Sequence, residues 1–249
     1  MKVVWEIDDS DVKKVQNFYN THKGNAFVLN RHERNVKKII PELSEISFWE
    51  AMVSCLLTTQ QRSGPESAVT RFICTKPFPL NLSECKKSEN LRQFAEGVIT
   101  GFGGIRRAIT LGEEIQSNFG WLEGGGWTVI RKIGSDLKEK QGRDAEREAA
   151  TIIMGSLKGF GPKQSRNLLQ ALGLTRYEIP IDSRITKWLN HFGFPIRLSA
   201  GALADPNYYN FVLDGFQKLC EAVNIYPCVM DAAIFASSDT DWPEDKLVW

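Results

Sequence analysis

Apolar residues recur at helical spacing along most of the chain and rarely alternate as a strand would. Val12, Val15 and Phe18 share one face of a helix expected over Asp11 to Asn20, while the opening KVVWEI alternates well enough for one short strand. The charged stretch from Ala26 to Ile40 has no clear period, and Pro41 with Glu42 reads as a connection. Ser47 and Glu50 form a capping-box pattern ahead of Phe48, Met52, Cys55 and Leu56, which predicts a helix starting there. Ser63 and Glu66, with Pro65 between them, repeat the signal for a second helix through Phe72. Leu91, Phe94 and Val98 mark a third, Ile105 to Ile115 a fourth, and Val129 to Leu137 a fifth. Gly124, Gly125 and Gly126 read as a loop between the last two; no strand precedes them and no GKS or GKT follows, so they are not a phosphate cradle. Toward the end, Asp205 and Pro206 open a long helix striped by Tyr209, Val212, Phe216, Cys220 and Val223, and Pro227 opens a last one running to about Ser237. The expected class is all-α.

The most informative stretch runs from Gly155 to Arg184, GSLKGFGPKQSRNLLQALGLTRYEIPIDSR. Ala145, Ala149, Ile152, Ile153 and Leu157 stripe a helix that enters it, and Leu168, Leu169 and Leu172 stripe a second, opened by Pro162 and ended by Gly173. Between them Gly159 and Gly161 bracket Phe160, a turn with little bulk and backbone N–H groups free to face outward. This is a helix-hairpin-helix with a ready anion site.

Lys163 lies in the first turn of the second helix, where the positive end of the macrodipole disfavours another cation by roughly 0.3–1 kcal/mol. A purely structural lysine gains nothing there. A lysine amine in its neutral form attacks electrophilic carbon to give a Schiff base; the alternative is a solvated lysine that touches phosphate. Asp182 follows an extended run from Tyr177 to Ile181 and precedes a helix from Ser183 to His191, closed by Gly193. Asp182 therefore reads as an N-cap, and the N–H bonds that a capping aspartate accepts also hold a carboxylate in place to stabilise a developing cation.

LKGFGPKQSRNLL followed by IPIDSR resembles the helix-hairpin-helix and Gly/Pro-Asp signature of the DNA glycosylase superfamily. More weakly, the resemblance extends to Phe48 through Ile109 and to the helix around Asp231. It implies a two-lobed helical fold with the active site in the cleft between lobes: a middle domain over 47–172, including the helix-hairpin-helix at about 145–172, and a second lobe made of 1–46 together with 173–249. It places Lys163 at the lysine of the bifunctional glycosylase/lyases and Asp182 at the shared catalytic carboxylate. Gly159 and Gly161 would hold DNA phosphate, with a monovalent cation at the hairpin an open option and no other cofactor or catalytic metal. Gln60, in the turn Thr58-Thr59-Gln60-Gln61, matches a gap-filling glutamine. Gly101 to Arg107 resembles a strand-wedging loop, with Ile105 or Phe102 as the wedge and Arg106 and Arg107 on phosphate. In the final helix, Asp231 and Phe235 fall where 8-oxoguanine glycosylases place a base-edge residue and a stacking aromatic; this chain has a carboxylate where those enzymes have glutamine.

Composition limits the partners. With 249 residues, 42% hydrophobic and 24% charged, the chain can bury a large core and is neither disordered nor fibrous. A net charge of +1 is low for a DNA-binding protein, so the basic surface must be local: Arg106 and Arg107, Arg131 and Lys132, and Lys158 with Lys163 and Arg166. The five cysteines contain no CxxC pair and suit a reducing compartment; the start lacks a signal-peptide pattern and no stretch has the length of a membrane span, so a cytoplasmic protein is expected. Only Cys220 and Cys228 lie near the C-terminus, too few for the four-cysteine iron–sulfur motif of some glycosylase branches. The expected partner is double-stranded DNA containing a damaged base or an abasic site, bound by a monomer. Three rivals stand beside this reading: a non-catalytic helix-hairpin-helix DNA-binding protein, a monofunctional glycosylase that uses water, disfavoured because such branches of the family generally lack the lysine, and a glycosylase for oxidised pyrimidines.

Overall fold

The structure, a computed structural model, describes residues 4–37, 43–61 and 63–238, and no strand occurs among them. Pro41 and Glu42 lie outside the described residues. The helices are α1 (Asp9–His22), α2 (Ala26–His32), α3 (Glu45–Leu57), α4 (Ala68–Cys74), α5 (Leu82–Lys87), α6 (Leu91–Phe102), α7 (Ala108–Trp121), α8 (Trp127–Glu139), α9 (Arg143–Ser156), α10 (Pro162–Ala171), α11 (Ser183–Phe192), α12 (Pro206–Ala222) and α13 (Pro227–Ser238). The fold is all-α.

Caps explain most of the boundaries. Asp8, Asn25, Asn81, Asn90, Asp182 and Asp205 each accept a backbone N–H from the first turn of the helix they precede. Several starts differ from the sequence expectation, and three of them have a clear local cause. α3 begins at Glu45 because Ser44 is its cap, accepting Ser47 N at 3.0 Å, so Ser47 is inside the helix and not at its head. α4 begins at Ala68 under Ser67; residues 63–66 instead form a turn whose carbonyls Ser63 O and Gly64 O both accept from the Thr70 hydroxyl. α7 starts at Ala108, later than expected, because Arg107 takes a left-handed conformation with φ 64°. Gly124 to Gly126 are not an open loop: they belong to a wide helical turn over Leu122–Gly126 that joins α7 to α8, where Gly125 has φ 116° and a Cβ on Gly126 would come within 2.5 Å of the Trp121 ring. The described part of KVVWEI has no regular secondary structure. No strand among the described residues lies beside it, and Trp5 anchors the segment by packing on Phe194 and Phe211, with ring centroids 5.1 and 4.8 Å away.

The helices pack as two groups. α3 is the centre of the first, with Trp49, Met52, Val53, Leu56 and Leu57 all fully buried, and it packs against α5, α7 and α10. α13 is the centre of the second, packed against α1, α2, α11 and α12. Its apolar residues Cys228, Met230, Ala232 and Ala233 are inaccessible to solvent. α9 and α10 form the hairpin pair, and the extended segment after α10 is held by buried polar groups. Glu146 accepts the N–H groups of Arg176, Tyr177 and Glu178 at 2.9, 2.7 and 2.8 Å. Burial pushes its carboxyl up to about 7 although these three bonds pull the other way. Glu178, fully buried, pairs with Arg166 at 2.6 Å and Arg147 at 3.0 Å, and Tyr209 fixes the next turn by accepting Ile181 N and donating to Ile179 O.

This network sets where Asp182 emerges, so it carries a stability prediction. Glu178→Ala strands the buried Arg166 guanidinium and is expected to cost about 3–5 kcal/mol, a fall in Tm of about 6–20 °C for a chain of this size. Thermal unfolding followed by circular dichroism measures it. A shift within error of zero would mean that Asn210, Pro162 O and water suffice for Arg166.

Candidate active site

Lys163 and Asp182 occupy equivalent places: each stands at the N-terminus of a helix whose entry is fixed by the chain before it. α9 ends at Ser156, the turn reverses through Gly159 with φ +86°, and Pro162 opens α10. Gly159 is required on two grounds. Its φ is left-handed, and a Cβ there would stand 2.8 Å from the Leu56 side chain and 2.9 Å from the Glu114 carboxyl carbon. α7 holds the turn from beneath: Asn118 Oδ1 accepts Lys158 N at 2.7 Å and its amide donates to Lys158 O at 3.0 Å. The N–H groups of Gly159 and Gly161 have no acceptor among the described residues, and Gly161 is exposed, so an anion can take both.

Lys163 is half-buried and makes no hydrogen bond or ion pair among the described residues. Burial pushes the Cys55 thiol of α3 up to about 12, and the charge of Lys163 opposes that rise. Asp182 caps α11, with Oδ1 accepting Arg184 N at 2.8 Å and Ile185 N at 3.1 Å and Oδ2 taking the Arg184 guanidinium at 3.1 Å. Arg184 also lies over the Phe235 ring, 4.3 Å from its centroid. Arg166, one turn beyond Lys163, reaches Glu178 just before Asp182, which places the two N-termini on the two ends of one polar network.

The residues around them separate into those that face outward and those that do not. Gln60 is exposed at the tip of its turn with φ 59°. Arg106 is exposed and its side chain makes no ion pair among the described residues, whereas Arg107 turns inward to Glu114 at 3.1 Å. Arg107 is thus an internal strut, a correction to its expected role on phosphate. Ile105 is packed against the core and is a poor wedge; the exposed apolar side chains at this loop are Phe102 and Ile109, at 37% and 58%. Phe102 leans edge-on against Phe72, while Ile109 stands in the first turn of α7, a position that sequence reasoning missed because it began that helix too early.

Asp231 is buried, and its Oδ2 already accepts from Arg31 at 2.8 Å and Gln170 at 2.7 Å. Burial raises its carboxyl, and Arg31 and Gln170 oppose the rise. Oδ2 is therefore occupied from within the protein, and Oδ1 alone is left to accept from the expected base edge. Phe235 stacks on Phe27 with centroids 4.7 Å apart and carries the Arg184 guanidinium over its ring at 4.3 Å, so its expected role as a stacking surface for a base is already filled from within. Arg31, which pairs with Asp231 and lies over the Phe27 ring 5.4 Å from its centroid, carries no local signal in the sequence.

Elsewhere a cavity of about 180 Å³ is lined by Leu137, Glu146, Leu174, Arg176 and Tyr177 among others, and includes neither Lys163 nor Asp182. Among the described residues there is no group of three His, Cys, Asp or Glu that could hold a metal ion, and no single helix is long and apolar enough to cross a membrane.

No protein-family model and no curated protein sequence matches this chain. Solved structures do. The 8-oxoguanine DNA glycosylase of Methanocaldococcus jannaschii aligns at a TM-score of 0.62 over 93% of this chain and 94% of its own, with 14% identity. The 8-oxoguanine glycosylase/lyase of the same archaeon, in complex with a 15mer DNA containing 8-oxoguanine, gives 0.67 over 93% and 98%, with 15% identity. The 8-oxoguanine DNA glycosylase of Thermotoga maritima gives 0.65 over 94% and 98%, with 16% identity. What these identities establish is a shared fold, over nearly the full length of both chains.

Proposed function

We propose that the chain is a bifunctional DNA glycosylase and abasic-site lyase acting on an oxidised base, with 8-oxoguanine as the preferred lesion. The observation that carries this reading is Lys163: a half-buried lysine with no partner among the described residues, at the positive end of a helix, directly after a hairpin with two open N–H groups. In the proposed reaction the damaged nucleotide is flipped out of the duplex. The Lys163 amine bonds to the anomeric carbon and the base leaves with the electrons of the glycosidic bond. Asp182 balances the positive charge on the sugar and takes up the proton that the amine sheds. Opening of the sugar ring gives the Schiff base; loss of a proton from the adjacent carbon then expels the 3′ phosphate by β-elimination, and water releases the lysine.

The amides of Gly159 and Gly161 would bind a phosphate beside the flipped nucleotide, with Arg106 on a second. A monovalent cation also suits the hairpin. Leu157 O and Gly161 O each accept one backbone N–H and retain a lone pair, an oxygen donor set that favours a hard ion, whose charge would add to phosphate binding.

The choice of base rests on Asp231 and on the enzymes that share this fold. Oδ1 can only accept, and guanine-type bases present N1–H beside the exocyclic amine, so that either donor can reach it. Thymine-derived lesions present a single N–H between carbonyl oxygens, which the carboxylate repels. A panel of duplexes is expected to show 8-oxoguanine excised faster than thymine glycol or dihydrouracil. Asp231→Ala should lower 8-oxoguanine excision by about 10-fold or more, the scale of one hydrogen bond to a charged group, and affect cleavage at a preformed abasic site less. Faster cutting of oxidised pyrimidines would favour the oxidised-pyrimidine reading and leave the roles of Lys163 and Asp182 in place.

A further inference from the structure

The residue after the candidate nucleophile, Gln164, is buried, and its amide nitrogen points away from α10 into the C-terminus of α3. There it meets Cys55 O at 2.8 Å, Thr58 Oγ1 at 3.2 Å and Thr59 Oγ1 at 2.7 Å. The orientation of the amide is fixed by chemistry. Cys55 O can only accept, so nitrogen must face it, and Asn167 donates to Gln164 Oε1 from the other side at 3.2 Å. A second carboxamide works on the far side of the same turn. Gln61 donates to Leu57 O, and its Oε1 accepts Arg106 N at 2.9 Å, tying the turn to the 103–107 loop. Between the two clamped residues, Thr59 and Gln61, stands Gln60, exposed and in the left-handed conformation that a side chain with a Cβ adopts only under constraint.

We propose that Gln164 and Gln61 are positioning residues that lock the Thr58–Gln61 turn between the Lys163 helix and the Arg106 loop, so that Gln60 is presented to the duplex in a preset direction. The proposal rests on the functional reading above and deepens it. Taking a base out of a stack leaves its partner unpaired, at a cost of a few kcal/mol. A polar side chain already held at the mouth of the site offsets that cost without first losing conformational freedom. Gln164 couples this event to the nucleophile because it adjoins Lys163 in the chain: the helix that carries the amine and the turn that faces the vacated stack move as one unit. Arg107 closes the circuit from the other end. Its backbone belongs to the same loop, and its side chain is paired with the buried Glu114 against which Gly159 packs.

Gln164→Met keeps side-chain volume and helical preference and removes the donors. Cys55 O is not orphaned, since Thr58 N and Thr58 Oγ1 still donate to it at 3.2 and 2.7 Å, so the variant is expected to fold. Two readouts decide the matter. Amide hydrogen exchange in the DNA-free protein should quicken at Thr58 and Thr59, whose N–H groups are bonded to Cys55 O and Leu56 O, in Gln164→Met while the α10 core stays protected; unchanged exchange overturns the clamp whatever the activity. On DNA, fluorescence of 2-aminopurine placed beside 8-oxoguanine should report slower base extrusion, and single-turnover excision should fall by about 10-fold to 10²-fold, the scale of a slightly misplaced group. Strand cleavage at a preformed abasic site, which needs no extrusion, should fall far less. Gln61→Met should repeat the profile, and the double variant should be little worse than either single one. An equal loss on both substrates, or an additive double variant, overturns the proposal. If wild-type protein cuts neither duplex, the functional reading fails, and the exchange result still decides the clamp.

Discussion

Borohydride is expected to trap wild-type protein covalently on DNA carrying an abasic site or 8-oxoguanine, and to trap none of Lys163→Gln. Reduction converts the labile C=N bond of a lysine Schiff base into a stable amine, so the trapped species reports the nucleophile directly. Excision should fall by about 10⁴-fold or more, the scale on which enzymes that act through a covalent intermediate lose rate when the nucleophile is removed. The variant should fold normally. Lys163 makes no hydrogen bond or ion pair among the described residues, so its replacement leaves no buried partner uncompensated, and removing a cation from the first turn of α10 is neutral or mildly favourable. Thermal unfolding close to wild type is therefore part of the prediction, and it separates loss of chemistry from loss of structure. DNA binding should persist, because the hairpin amides and Arg106 are untouched. Equal trapping in Lys163→Gln would move the nucleophile elsewhere. A wild-type protein that binds DNA and never traps would support the rival in which Lys163 only touches phosphate.

Features of the site that depend on neighbours in the chain were legible from the sequence. Gly159 between a leucine-capped helix and Pro162, and Asp182 between an extended run and a helix, are local signals, and the structure places both residues at the geometry those signals imply. Helix starts were less legible, because serine signals compete at short range. Ser44 and Ser47 both suit a cap, and the choice of Ser44 follows from the burial of Phe48 and Trp49 one turn into α3. Partners distant in sequence were not legible at all. Arg31 reaches Asp231 across 200 residues, and Gln164 reaches the Thr58–Thr59 turn across more than 100. These pairs exist because α2 packs on α13 and α3 on α10, a choice made by apolar surfaces that carry no information about which polar group will end up opposite. The sequence therefore showed which residues could do chemistry and not which of their atoms were already occupied. Arg107 and Asp231 are the two places where that mattered: Arg107 pairs with Glu114, and Asp231 has one of its two oxygens taken by Arg31 and Gln170.

Asp182 offers the sharpest separation of a structural role from a catalytic one, since the carboxylate that caps α11 is the one proposed to act on the sugar. Oδ1 accepts the N–H groups of Arg184 and Ile185 and so caps α11, while Oδ2 faces the Arg184 guanidinium. Asn in place of Asp keeps an acceptor for the cap and loses the charge; Ala loses both. If Asp182 only caps, Asp182→Asn should work almost normally, and Asp182→Ala should lose about 0.5–2 kcal/mol of stability with little change in rate. If the carboxylate balances positive charge on the sugar, Asp182→Asn should fold nearly as well as wild type and turn over about 10²-fold to 10³-fold more slowly, the loss that follows removal of one preorganised electrostatic group. The catalytic role predicts the second pattern. Single-turnover excision of 8-oxoguanine, measured beside thermal unfolding for both variants, distinguishes the two. Binding to abasic DNA should survive in Asp182→Asn, because the phosphate-binding N–H groups belong to the hairpin and not to α11. A near wild-type rate for Asp182→Asn would show that the residue does no more than begin its helix.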